Sequence, residues 1–178
     1  NTAVLSTPIY AARRLGIPVT VHVREIPERD QDLCSILGVS AQEWRSFLID
    51  KVDSFVVNSP LVADWLDVSK DRVKLVGNKI DPVLFDLPFT PSSPTRVGLI
   101  SSNLRKKGLE DFVFVAKAFL ELGRKAEFVL VGPETDDLRQ LGLLPENIHY
   151  RGYVSNPQAA IEQVDVVLSI SKFAESFG

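Results

Sequence analysis

The sequence predicts an α/β protein with parallel sheets, divided by a hinge into two domains that are both incomplete. Three observations carry that expectation. Strand-like β-branched runs alternate with helix-length segments from end to end. The runs, such as "SFVVN" and "AEFVLVG", are apolar throughout rather than polar at every second residue, which suits strands covered on both faces. Midway, "DLPFTPSSPT" (Asp86 to Thr95) holds three prolines and two serines in ten residues, and proline removes N–H donors and favours extended backbone. The expected division is residues 1–87, a hinge at 88–95, and residues 96–178. A long surface loop within one domain is the other reading of that stretch.

Each element has its own local signal. "TPIYAARRLG" offers Thr7 as N-cap, Pro8 in the first turn and Gly16 as a stop. "IPVTVHV" is a β-branched strand carrying His22 near its end. "SAQE" (Ser40 to Glu43) is a capping box for a helix running to about Asp50. "SFVVN" is a strand, "SPLVADWL" repeats the serine cap and proline start at Ser59 and Pro60, and "VKLVGN" is a further strand. Past the hinge, "RVGLIS" is a strand. In "LEDFVFVAKAFLELG", Leu109, Phe112, Val113, Ala116, Phe119 and Leu120 share one helical face, and Gly123 ends the helix. "AEFVLVG" and "NIHYRGYV" are strands, "NPQAAIEQV" is a helix capped by Asn156 with Pro157 first, and "VDVVL" is a buried strand. The charge run "VREIPERDQD" reads as a solvated face, and Trp44 and Trp65 as core.

Composition narrows the function classes. With 45% hydrophobic and 24% charged residues among 178, the chain is of ordinary globular make-up. The formal net charge is −3, and neither half is basic: 10 basic face 12 acidic residues up to Thr90, and 10 face 11 beyond it. Nucleic acid is therefore not the expected partner. Cys34 is the only cysteine, which fits a reducing, cytoplasmic compartment; with only two histidines beside it, no metal site is expected. No apolar run reaches the ~18–20 residues that span a bilayer, and "NTAVLSTPIYAARRLG" lacks the basic-then-apolar order of a signal peptide. Lacking an initial methionine, the chain reads as a fragment.

In open parallel sheets, ligands bind beyond the carboxyl ends of the strands, and there this chain collects its polar and glycine residues. In "SSNLRKKGLED" a strand ends in small polar residues, three cations follow, and Gly108 leads into a helix. Amides at a helix start, the positive end of its dipole and adjacent cations suit phosphate; a solvated basic turn is the competing reading. In "FAESFG", Glu175 after a strand suits sugar hydroxyls, or it complements the dipole of a helix beginning near Gly178. His22, between strand and charge run, is either a ligand donor or an ordinary polar strand end. Neither a three-glycine dinucleotide fingerprint nor a phosphate loop ending Gly-Lys-Ser/Thr is present.

The order of these signals resembles the GT-B-fold retaining glycosyltransferases of family 4, the "glycosyltransferase group 1" domain. The resemblance runs through "VHVREIP", "FVVNSPLVADWL", "VKLVGNKIDPVLFDLP", "LRKKGLEDFVFVAKAF", "FVLVGPE" and "IHYRGYVSNPQAAIEQVDVVLSISKFAESFG". It implies two Rossmann-like domains: the last part of an acceptor-side domain (1–87) and the first part of a donor-binding domain (96–178). It implies transfer of a sugar from a nucleotide-sugar donor to a glycan or lipid-linked acceptor, without cofactor or metal, in the cytoplasm or at the membrane face, where the full-length protein would associate peripherally. By the resemblance, His22, Lys107 and Glu175 are catalytic, and Ser102, Asn103, Arg105, Lys107, Phe177 and Gly178 bind donor diphosphate and sugar. The sequence departs from the family at Ser101-Ser102-Asn103, where Gly-Arg is usual, and at Asn78-Lys79, where Asn-Gly is usual. A GT-B epimerase or phosphorylase, and a non-catalytic α/β binding module, are the alternatives.

Overall fold

The computed structural model describes residues 4–173, in two compact units, one extending to Lys79 and the other spanning Ile80–Phe173. In the first, α1 (Thr7–Arg14), β1 (Thr20–Val23), α2 (Gln31–Leu37), α3 (Ala41–Lys51), β2 (Ser54–Val57), α4 (Pro60–Leu66) and β3 (Val73–Leu75) follow in order. The sheet runs β1-β2-β3, all parallel, so helices must carry the chain back between strands. Burial along β1 and β2 alternates: Val21, Val23, Phe55 and Val57 are buried, and their neighbours are not. The buried set packs on Trp44, Leu48, Val62 and Leu66. The opposite face of this sheet, with His22, Ser54 and Val56, is half-buried.

Caps set the helix starts. At α3 the Glu43 N–H donates to Ser40 Oγ at 3.2 Å while the Ser40 N–H donates to Glu43 Oε2 at 2.9 Å, the reciprocal box read from "SAQE". Those Ser40 hydrogen bonds hold the Glu43 carboxyl below the usual glutamate range. Ser59 Oγ accepts from the Val62 N–H at α4. At α1, Thr7 is already helical, and Ser6 stands at the cap position without a side-chain bond. The charge run is not simply solvated. Ile26 and Pro27 are buried, and Asp30 accepts from the Leu33 N–H to start α2 inside it.

The second unit holds β4 (Thr95–Ile100), α5 (Leu109–Glu121), β5 (Ala126–Val131), α6 (Asp136–Gln140), β6 (Ile148–Tyr150), α7 (Pro157–Ile161) and β7 (Val166–Val167). Its sheet is parallel in the order β6-β5-β4-β7. Here both faces are covered. Phe128 and Leu130 of β5 pack with Phe112 and Ala116 of α5, while Val129 and Val131 pack with Ala160 and Val164. Phe112 and Phe119 meet Phe128 edge-on, with centroids 5.5 and 5.3 Å apart.

Two expectations fail at the rim. β7 is not buried: Val166 and Val167 are 46% and 52% exposed, since among the described residues this two-residue strand pairs only with β4. Leu120, read as part of the buried face of α5, is 38% exposed at the helix's last turn. Asp165 ties the starts of both strands together, accepting from the Arg96 N–H at 2.7 Å and the Arg96 guanidinium at 3.0 Å. Ser92 Oγ also donates to Asp165, so the proline-rich stretch is fastened within the second unit.

Candidate functional site

The strand order contains a switch point. From β4 the chain moves outward through β5 to β6, then returns to place β7 on β4's other side. The connections leave β4 in opposite directions, and in open parallel sheets such a point, here the carboxyl ends of β4 and β7, is where ligands bind. The two loops singled out in the sequence, "SSNLRKKGLED" and the segment leading into "FAESFG", are the two that leave those ends.

The β4 exit is held rigidly. Asn103 is fully buried and in the left-handed region at φ +52°, a conformation asparagine tolerates better than most residues. Its N–H donates to Ser101 Oγ at 3.0 Å, its Nδ2 donates to the Pro133 carbonyl at 3.0 Å, and its carbonyl accepts from Thr135 Oγ1 at 2.7 Å. Its Oδ1 has no hydrogen-bond partner among the described residues. Gly132, after β5, permits this closeness, because a Cβ there would run into the Ser101 carbonyl oxygen. Asn103 thus clamps the β4 and β5 exits together.

Past Leu104 the chain makes a 3-10 turn, Arg105–Lys107, and enters α5 through Gly108 at φ +81°. The three cations diverge. Arg105 is anchored: its N–H donates to Asp137 Oδ2 at 2.9 Å, its NH2 to Gln140 Oε1 at 3.0 Å, and its guanidinium lies 3.5 Å from both Glu110 and Asp137. Lys106 and Lys107 are half-buried, with Nζ atoms 5.7 and 4.9 Å from the centroid of the Phe173 ring. Phe173 belongs to the segment leaving β7, and the backbone stitches that segment to the turn. The Lys172 N–H donates to the Lys106 carbonyl at 2.8 Å, and a Cβ on Gly108 would run into the Ile170 carbonyl. The Lys172 ammonium reaches Asp111 at 3.3 Å.

Ser101 and Ser102 also line a cleft of ≈ 510 Å³ with Val131, Pro133, Tyr153 and Ala160. Its wall is mostly apolar with a few hydroxyls, and Tyr153 is 70% exposed on it. Tyr150 Oη donates to the Gly132 carbonyl at 3.1 Å, and burial, with the Glu134 charge, pushes its phenol pKa up. A hollow of ≈ 570 Å³ in the first unit, lined by Asp64, Asp67, Lys70 and Leu75 among others, gathers no strand-end loop of the kind the sequence points to. In that unit His22 lies in β1, half-buried and opposite Val56, and Asn58 is buried at the end of β2. Glu175, Phe177 and Gly178 lie outside the described residues. Among the described residues no three His, Cys, Asp or Glu side chains cluster as a metal site would, and no helix is long and apolar enough to cross a membrane.

Sequence reading had not singled out Phe173, Thr135 or Asp137. Phe173 had a signal, since it falls in the "FAESFG" stretch; the other two are found only by contact.

No protein-family model matches the chain, and no curated protein matches it. Solved structures do. A variant of S. aureus TarM, crystallised with fondaparinux, alpha-GlcNAc-glycerol and UDP, is 20% identical over 78% of this chain and 29% of its own, at a TM-score of 0.61. The lipopolysaccharide outer core galactosyltransferase WaaB in its apo form is 15% identical over 98% of this chain and 55% of its own, at 0.54. The fold is GT-B. The pneumococcal O-GlcNAc transferase GtfA, in complex with UDP and GlcNAc, adds 17% identity over 96% of this chain and 41% of its own, at 0.55. The chain spans between 29% and 55% of the length of these three structures. At such identities the likeness is one of fold, and the GT-B fold bears out the α/β class read from the sequence.

Proposed function

We propose that this chain is the hinge-spanning part of a glycosyltransferase that moves a sugar from a nucleotide-sugar donor to a glycan or lipid-linked acceptor, with retention at the anomeric carbon. The observation that carries the reading is the interlocking of the cationic turn with the segment leaving β7, at the switch point of a GT-B sheet. GT-B proteins of similar fold were crystallised with UDP, which is the ligand class this site suits. The second unit binds the donor and the first serves the acceptor side.

In this reading the apolar cleft beside Ser101, Ser102 and Tyr153 takes the nucleoside, whose flat neutral base needs contact area and a few hydroxyls rather than charge. The diphosphate lies toward Lys107 and Lys106. As the bond from the anomeric carbon to the diphosphate oxygen breaks, negative charge grows on the leaving group, and fixed ammonium groups stabilise that state more than the ground state. The acceptor oxygen forms the new bond on the same face of the sugar, and its proton passes to the departing phosphate. Arg105, committed to Asp137 and Gln140, braces the turn. Glu175 orients the sugar, backbone amides of Phe177 and Gly178 meet donor oxygens, and His22 takes a catalytic role. No resident cofactor or metal takes part, and the protein works in the cytoplasm or at its membrane face.

The test is product analysis with the full-length protein and a panel of nucleotide sugars. Nucleoside diphosphate should be released only when an acceptor is supplied, and NMR of the product should show the donor's anomeric configuration. Interconversion of one nucleotide sugar into another without acceptor would identify an epimerase instead. Absence of saturable nucleotide-sugar binding by calorimetry would identify a scaffold.

A further inference from the structure

Two lysines converge on one phenylalanine ring in this chain. Lys107 Nζ lies 4.9 Å and Lys106 Nζ 5.7 Å from the Phe173 centroid, both within the ~6 Å over which a cation feels the negative face of an aromatic ring. The arrangement is built in from both sides. The Lys172 N–H bonds the Lys106 carbonyl, so the residue before the ring is fixed to the residue whose ammonium it faces. Gly108 lets Ile170 approach the end of the same turn, where any side chain would collide with the Ile170 carbonyl. Arg105 is drawn the other way, onto α6, so the turn presents its two lysines to the ring and its arginine to Asp137.

We propose that Phe173 is a positioning residue, an aromatic seat that holds the ammonium groups of Lys106 and Lys107 in place for the donor diphosphate. A lysine side chain carries about 2 kcal/mol of rotamer entropy, which a phosphate ligand would otherwise have to overcome for each ammonium it orders. A ring fixed to the same turn removes part of that cost before the ligand arrives. It does so without neutralising the charge, as a carboxylate would, because a quadrupole attracts a cation yet leaves its net charge available to an anion. The seat also couples the two loops of the switch point: a shift of the segment after β7 moves the cations of the segment after β4.

This inference rests on the reading of the site as a diphosphate site, and the experiment separates the two. In the full-length protein, Phe173 is replaced by mono-, di- and trifluorinated phenylalanine, which keep the ring's shape while draining its negative face, and by cyclohexylalanine, which keeps the bulk without the π-system. UDP and GDP, with uridine and guanosine as phosphate-free controls, are titrated by calorimetry. The dissociation constant of the diphosphate that binds should rise stepwise with fluorination, by about 3- to 10-fold at the trifluoro ring, the span of one partly exposed cation–π contact. Binding of the matching nucleoside should not change. In the ligand-free protein, the lysine ε-CH2 protons should show upfield ring-current shifts that vanish with cyclohexylalanine. If wild type binds a diphosphate more tightly than its nucleoside but the series is flat, the seat is wrong and the diphosphate reading stands. If wild type shows no such preference, the diphosphate reading fails and the inference fails with it.

Discussion

At the scale of single residues, the site separates cations by what their neighbours do to them. Arg105 is held by Glu110, Asp137 and Gln140, while Lys107 lies against the Phe173 ring. Lys107→Ala should therefore cost transition-state stabilisation, with kcat/KM falling about 10²- to 10³-fold, the range found on removing one oxyanion donor. Its melting temperature should stay close to wild type, because the side chain anchors no core. Equal losses of melting temperature and activity would mark Lys107 as structural. Asp165 makes the opposite prediction. Its side chain is 3% exposed, and the Arg96 guanidinium and N–H hold its carboxyl down at about 2 from an ordinary 3.8. Because the folded state favours the charged form, the stabilisation is present above pH 3.8 and is lost as pH falls through about 2. Asp165→Asn should lower the melting temperature by several degrees at neutral pH. Melts of wild type and variant should converge as pH falls through that window; a constant gap would mean that the charge contributes nothing.

At the scale of elements, packing on β5 decides the stability of the second unit. Phe128 is fully buried and edge-on to both Phe112 and Phe119, so Phe128→Ala should cost about 3–5 kcal/mol by urea melting. Phe114, on the same helix as those two but 72% exposed, should cost less than about 0.5 kcal/mol as Phe114→Ala. The reverse ranking would mean that α5 packs through its other face. Most of these elements were legible locally, because Ser40 with Glu43, Ser59 with Pro60, and Asn156 with Pro157 each announce a helix by chemistry within four residues. What was not legible depends on neighbours far along the chain. β7 is as apolar as β5 yet exposed, because apolar composition reports a strand's preference and not its seat at the sheet's edge. α2 hid inside a charge run because its cap, Asp30, is itself one of the charges. The site divided the same way. Strand ends named the loops, but only the order β6-β5-β4-β7 brings Phe173 to Lys107 across more than sixty residues of sequence.

At the scale of the whole molecule, the chain carries separate cores. Phe55, Val57, Leu48 and Leu66 belong to one cluster; Phe112, Phe128 and Leu130 belong to another, in the other unit. Clusters that share no residue should lose stability separately when each is damaged, since mutational effects couple through shared contacts and cavities. Phe55→Ala in the full-length protein should speed hydrogen exchange in β1, β2 and β3 while leaving protection of β4 and β5 near wild type, and Phe128→Ala should do the reverse. The functional consequence follows from the site's location. All of the described cationic turn, the cleft and Phe173 lie in the second unit, so Phe55→Ala should leave the affinity for a free nucleoside diphosphate within about twofold while Phe128→Ala lowers it. Exchange that rises across both units for either variant would show that the chain unfolds as one cooperative body, and the assignment of donor binding to the second unit alone would then lose its physical basis.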